Sequence, residues 1–196
     1  MCKIKKGTIE NADRFYIANS LWGTDEYRPE VYVKISYNDK EFLVEFTVKE
    51  ETPTRVYTNH YDKVHEDSCA ELFLNFSPET EKNYINFEVN ANGAMNPAFR
   101  PDRYSGTPLK IEEIEGFGIK TQIFDDYWTA SYNIGFDFIK KYYPDFDIDS
   151  CEYILGNAYK CGDKTPVEHY MSLFKVGCEE PDFHRPEYFD KFIIEK

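Results

Sequence analysis

Apolar and polar residues alternate with period two along most of this chain, and the alternation is cleanest between positions 64 and 91. In residues 69–76, Leu72, Leu74 and Phe76 fall on one side, and Glu71, Phe73 and Asn75 on the other. After a turn at Ser77, Pro78 and Glu79, residues 84–91 set Ile85, Phe87 and Val89 against Tyr84, Asn86, Glu88 and Asn90. Successive side chains of a strand project to opposite faces, so each segment reads as a β-strand with one core face. The same period recurs in residues 32–37 and 41–49, joined by Asn38, Asp39 and Lys40 as a hairpin turn. It returns in 119–124 and 127–134, on either side of Asp125 and Asp126, and again in 152–160. Trp128, at the start of one such segment, is expected in the core. Residues 3–9 read as an edge strand and 188–194 as a closing strand. Residues 136–143 read as a short helix stopped by Pro144, and 167–174 as one helical turn or irregular chain. Roughly eight to ten strands separated by turns predict an all-β, antiparallel β-sandwich with one or two short helices.

The polar face of the central pair is unusual in kind. Asn, Asp and Glu are poor strand formers, so Asn75, Asn86, Glu88 and Asn90 on neighbouring strands suggest a use beyond propensity. Amides and carboxylates beside an arginine are groups that hydrogen-bond sugar hydroxyls. Arg100 and Arg103 follow in a loop, residues 95–108, that can reach back over this face. A second long loop, 51–63, carries Tyr57, Asn59, His60 and Tyr61. Long loops in compact domains are often functional. A solvated face or a buried structural network is the plainer reading of the same residues, with the arginines paired to nearby acids.

Composition narrows the partners. The chain has 196 residues and reads as a single domain, 1–196, with no linker and no internal repeat. Its net charge of −13 argues against nucleic acid and anionic membrane surfaces, because binding phosphates needs a basic patch. No segment is apolar enough to span a membrane, and no secretory leader is visible. That leads to the expectation of a cytoplasmic protein if the N-terminus is native. The five cysteines lack a CxxC pair and are expected as free thiols, with a Cys161–Cys178 bridge as the alternative.

Familiar catalytic signatures are missing: the sequence has no glycine-rich phosphate loop, no HExxH and no GxSxG. Among Glu45, Glu71 and Glu88 a glycosidase carboxylate pair can be imagined. No cofactor is certain. A structural Ca²⁺ site is conceivable among Asp62, Glu66 and Asp67, although no EF-hand pattern supports it. Met95, Met171 and the histidines are conceivable haem ligands, but nothing in their spacing recommends them.

Several stretches together resemble a known family. These are His65-Glu66-Asp67-Ser68-Cys69-Ala70-Glu71, Tyr84-Ile85-Asn86-Phe87-Glu88-Val89-Asn90, Arg100 and Arg103, Leu155-Gly156-Asn157-Ala158-Tyr159-Lys160-Cys161-Gly162-Asp163, His169-Tyr170, and Phe183-His184-Arg185-Pro186. In this order they resemble the family 9 carbohydrate-binding modules, within the wider DOMON-like group. The resemblance implies a jelly-roll-like β-sandwich that binds a small saccharide or a glycan end, with two tryptophans sandwiching a ring. It also implies an acidic residue, an Arg and an Asn on the hydroxyls. By position these are Glu71, Arg100 or Arg103, and Asn157. Where one tryptophan is expected the chain has His65, and near Asn157 it has Tyr159 and Lys160. Tyr57, Tyr61, Tyr104 and Tyr170 are the loop aromatics that can replace them.

The expectation is therefore non-catalytic carbohydrate binding through His65, Glu71, Asn86, Glu88, Arg100, Arg103, Asn157, Tyr159 and Lys160. The alternatives are a glycoside-acting enzyme with a carboxylate pair, and an interaction protein that has lost sugar binding.

Overall fold

The computed structural model describes residues 2–196. Its strands, in chain order, are β1 (Cys2–Lys6), β2 (Arg14–Tyr16), β3 (Asn19–Ser20), β4 (Val31–Tyr37), β5 (Glu41–Val48), β6 (Cys69–Asn75) and β7 (Tyr84–Asn90). They continue with β8 (Ala98–Arg100), β9 (Thr107–Pro108), β10 (Lys120–Ile123), β11 (Trp128–Gly135), β12 (Tyr153–Gly162), β13 (His169–Ser172) and β14 (Asp190–Glu195). The two α-helices are α1 (Ile111–Gly116) and α2 (Phe136–Tyr142). Every clearly alternating segment is a strand, within a residue or two of its expected limits. Among the described residues no helix is long and apolar enough to cross a membrane.

Among the described residues all fourteen strands join one curled sheet, whose main path runs β10-β11-β5-β4-β1-β14-β12-β6-β7-β8-β9, with β2 paired to β4, β13 to β12 and β3 to β13. Pairing is antiparallel except at β1, which runs parallel to both β4 and β14. The curl lays β11-β5-β4 over β12-β6-β7 as the two layers of a sandwich. Phe87 of β7 stacks on Tyr132 of β11 at 5.9 Å, and Phe42 of β5 meets Phe76 at the end of β6 at 5.9 Å. Leu72, Leu74, Ile85, Phe87 and Val89 from one layer and Val33, Ile35, Val44 and Phe46 from the other lie buried between them. Each such side chain contributes roughly 1.5–3 kcal/mol by leaving water. Trp128 is a core residue, with its indole N–H donating to Glu50 Oε2 at 2.8 Å.

Three expectations change. Residues 3–9 do not form an edge strand: the strand ends at Lys6, Ile9–Asn11 is a 3₁₀ turn, β1 is hydrogen-bonded on both sides, and Ile4 is fully buried. The alternation of Cys2 and Ile4 marks one buried face but cannot say how many neighbours a strand has. Residues 169–172 are neither helical nor irregular but form β13, which extends the sheet along the second half of β12. Helix α1 was not anticipated. Its sequence, I-E-E-I-E-G, offers two apolar positions, and only Ile114 is buried, too short a signal to stand out.

The long strand β12 is shared between neighbours. Tyr153–Gly156 pairs with β14, Tyr159–Gly162 pairs with β13, and the opposite edge pairs with β6. Gly156 permits this close passage: a Cβ there would meet Phe73 O at 2.3 Å and Leu74 Cδ2 at 2.6 Å.

Candidate functional site

The outer face of β12-β6-β7 is covered rather than solvated. Across it, Cys69 stands opposite Cys161 and Asn90, Glu71 opposite Tyr159 and Glu88, and Phe73 opposite Asn157 and Asn86. Phe73, Tyr84 and Tyr159 form a second, smaller apolar cluster, with Trp22, Phe183 and Phe189 packed against it. Two of the strand amides are spent on turns. Asn90 donates to Tyr57 O and Asp67 Oδ2, both at 2.8 Å, and accepts from the Asn92 and Ala94 amides. Asn75 donates to Glu81 O at 2.8 Å and accepts from the Ser77 amide.

The two glutamates of this face border a cavity of about 250 Å³. Glu71 and Glu88 form its base. Cys161 sits beside Glu71 at that base, His65, Asp163, Asp182 and His184 line the sides, and Trp22, Tyr170 and Phe183 supply an aromatic wall. Trp22 adopts φ 53°, a left-handed conformation that bulky residues rarely take. Its indole N–H donates to Cys178 O at 2.9 Å, and its ring lies 5.4 Å from Tyr170 and 5.6 Å from Phe183.

Electrostatics at the base are one-sided. Glu71 is 2% exposed, and its hydrogen-bond donor is the Cys161 thiol, at 3.0 Å. Burial, with Cys161 and Glu88 adding to it, pushes the Glu71 carboxyl well above the usual carboxylate range. Glu88 accepts from Asn86 Nδ2 at 3.0 Å and from Asn96 Nδ2 at 3.4 Å. Burial lifts Glu88 to about 7, against the opposing charge of Arg100. Arg100 acts from behind, its Nε donating to Asn86 Oδ1 at 2.8 Å. His184 stacks on Phe73 at 4.9 Å, shares a hydrogen bond with the Tyr84 hydroxyl at 3.1 Å, and stands 4.0 Å from Glu88. Burial, helped by Arg100 and Arg103, holds it down near 3, so it is neutral.

Of the nine residues expected from sequence, His65, Glu71 and Glu88 line this cavity. Asn86 and Arg100 orient Glu88 from one layer behind. Arg103 pairs with Asp182 and so pins the loop that carries Phe183 and His184. The other three have different partners. Asn157 clasps the Phe174 backbone, donating to its oxygen and accepting from its amide, each at 2.9 Å. Tyr159 is fully buried beneath Phe183, stacked at 4.1 Å, with its hydroxyl donating to Phe183 O. Lys160 lies on the opposite face of β12, as a strand neighbour of Tyr159 must. Its Nζ donates to Cys161 O at 2.8 Å and His169 Nε2 at 2.7 Å, and it lies 3.5 Å from Glu50.

Of the four tyrosines expected in loops, Tyr170 reaches the cavity, and it does so from strand β13. Trp22, Cys161, Asp163, Phe183 and His184 were not foreseen as site residues. Cys161 was the most accessible of these, because period two places it on the face of Tyr159. The loop residues carry no periodic signal.

The carboxylates considered for Ca²⁺ do not converge. Asp67 accepts from the Val56 and Tyr57 amides and from Asn90. Glu66 turns to Lys164 and Tyr57, which hold it near 2, and Asp62 turns to Asn59. Glu45 lies in the other layer, 3.5 Å from Lys34, away from Glu71 and Glu88. All five cysteines are free thiols.

No curated protein matches the chain significantly. Among solved structures it is similar to a candidate carbohydrate-binding protein from Bacteroides uniformis, with TM-score 0.82 and 22% identity over 100% of this chain and 98% of that one. It is also similar to a family 9 carbohydrate-binding module from Caldicellulosiruptor kristjanssonii. The glucose complex gives TM-score 0.69 and 11% identity over 98% and 94% of the two chains. The cellotriose complex gives 0.68 and 11% over 99% and 93%. At these identities the likeness establishes the fold. The family model for Carbohydrate-binding family 9 matches residues 7–194, nearly the whole sandwich and every residue around the cavity, so the chain belongs to that family.

Proposed function

We propose that this chain is a non-catalytic carbohydrate-binding protein that takes a small saccharide, or the end of a glycan, into the cavity above Glu71 and Glu88. The observation that carries this reading is the pairing of two buried carboxyls with an aromatic wall around one small cavity. Its volume of about 250 Å³ lies just below the roughly 300–1,000 Å³ typical of ligand pockets, which suits a ligand as small as a single sugar ring. Aromatic faces suit the C–H face of a pyranose, and fixed polar groups set its orientation. The glucose and cellotriose complexes of the Caldicellulosiruptor module support the ligand class.

The facing carboxyls also raise glycoside hydrolysis. A retaining glycosidase needs one of its two carboxyls ionised as the nucleophile. Burial holds both Glu71 and Glu88 toward the neutral form. A neutral carboxyl is a hydrogen-bond donor as well as an acceptor, which suits recognition of hydroxyls better than attack on an anomeric carbon.

A thermal-shift screen of simple sugars, followed by calorimetry, tests the proposal, because a ligand selective for the folded state raises the melting temperature. A selective shift that Trp22→Ala weakens and Glu71→Ala abolishes is the expected result. A flat screen with calorimetric silence at millimolar sugar would sink it.

A further inference from the structure

The geometry points to a thiolate metal site at the base of the cavity: Cys69, Cys161 and Glu71 hold a thiophilic divalent cation, Zn²⁺, and leave a fourth position open toward the cavity. Among the described residues, this is the one group of thiol, imidazole or carboxylate side chains whose ligand atoms all lie within 4.8 Å of one another. Strand register creates it. Cys69 and Cys161 are directly paired across β6 and β12, and Glu71 lies one pleat further along β6 on the same face. Tetrahedral Zn²⁺ takes sulfur at about 2.3 Å and carboxylate oxygen at about 2.0–2.2 Å, so three ligands this close converge on one ion with small side-chain adjustments.

Charge supplies a second, independent argument. A buried carboxylate normally has a cation or several good donors. Glu71 has a thiol as its donor, another glutamate opposite it and Asp163 at the cavity wall. The nearest buried lysine, Lys160, points to the other face of the sheet, toward Glu50. A divalent cation replacing the thiol protons satisfies all three groups together. On uptake the two thiols and the Glu71 carboxyl lose their protons to solvent, and the cation accepts the freed electron pairs. Two soft thiolates favour Zn²⁺ over Mg²⁺ or Ca²⁺. Three protein ligands with one open position leave room for a water or a ligand oxygen. Cys161 and Glu71 line the cavity, which gives the ion its way in.

The site shares Glu71 with the proposed sugar cavity, but its test uses no sugar, so either reading can fail without the other. The reduced, full-length chain is titrated with Cd²⁺, whose thiolate charge-transfer absorption reports sulfur ligation, and with Zn²⁺ in competition with a chromophoric chelator. One equivalent should bind and produce the absorption band. Cys69→Ala and Cys161→Ala should each abolish it, Glu71→Gln should weaken affinity at least tenfold, and Cys178→Ala should leave it unchanged. Alanine is chosen because a buried free cysteine packs as a small hydrophobe. Zn²⁺ should also raise the melting temperature of the parent chain but not of Cys161→Ala, which reads the site even if that variant is less stable. Absence of the band in the reduced parent chain, or its persistence in Cys161→Ala, would overturn the site.

Discussion

Two buried glutamates, Glu50 and Glu71, stand on opposite sides of the same pair of strands, and their surroundings differ in kind. Glu50 is 6% exposed and has a complete set of partners: the Trp128 indole N–H at 2.8 Å, the Ser68 hydroxyl at 3.2 Å and the Lys160 ammonium at 3.5 Å. Burial works against its charge, yet Lys160 and these donors bring it below the ordinary glutamate value. Glu71 has Cys161, and burial with its acidic neighbours keeps it neutral. The Glu50 site is internally complete and serves the fold. The Glu71 site is incomplete without a ligand, and an incomplete polar site opening on a cavity is where binding is expected.

The comparison is broken most forcefully by removing the cation. Lys160→Met should cost about 3–5 kcal/mol in urea denaturation, because a buried ion pair missing one partner leaves an uncompensated charge. Adding Glu50→Gln should recover part of that loss. Next, Glu71→Leu should change stability at pH 7 by no more than about 1 kcal/mol, in the stabilising direction, since it removes a buried carboxyl that has no cation beside it and a thiol as its donor. The same variant should lose sugar binding, and a large loss of stability would contradict the asymmetry.

Acid–base behaviour sharpens the contrast further. In the metal-free chain, Glu88 is lifted to about 7, so the folded state holds a proton that the unfolded state releases. Its contribution is complete below the unfolded glutamate range and is lost as pH rises toward 7. His169 is lowered to about 4 by burial and Lys160, so its contribution is complete above its ordinary value and is lost as pH falls toward 4. Melts between pH 4 and 7.5 should therefore rise more steeply with pH in Glu88→Gln, and His169→Gln should decline more clearly as pH rises. The smallest effect belongs to Arg103→Ala. Its pair with Asp182 is partly exposed, so the loss of stability should stay under about 1 kcal/mol. Loss of this pin should nonetheless speed proteolytic cleavage within residues 181–186.

Most of the sandwich was legible because a buried strand face writes itself directly into sequence. Leu72, Leu74, Ile85, Phe87 and Val89 needed no tertiary knowledge. The same alternation placed Glu71 and Glu88 on one face. It could not show that register sets them side by side, or that Cys69 faces Cys161 across a strand pairing more than eighty residues apart in sequence. Lys160 was misleading for the opposite reason. Its neighbours Asn157 and Tyr159 share the outer face, but period two turns Lys160 inward, toward a glutamate that follows β5. Trp22 and His184 sit in loops, where no periodicity operates and only the folded chain brings them to the cavity.

The position of β1 has a kinetic consequence. It is the seam between the two halves of the sheet, and on one side its partner is β14, from the other end of the chain. Pairings between such distant segments carry a large loop-closure entropy and slow the folding of β-rich chains. The meander of β4 and β5 and the pairing of β6 and β7 can form early, from local contacts, but the sheet cannot close until residues near 195 are available to meet residues near 3. Until then β12 lacks β14 on one edge, and unpaired strand edges invite association between chains. Refolding yield should therefore fall with protein concentration more steeply than native stability would indicate.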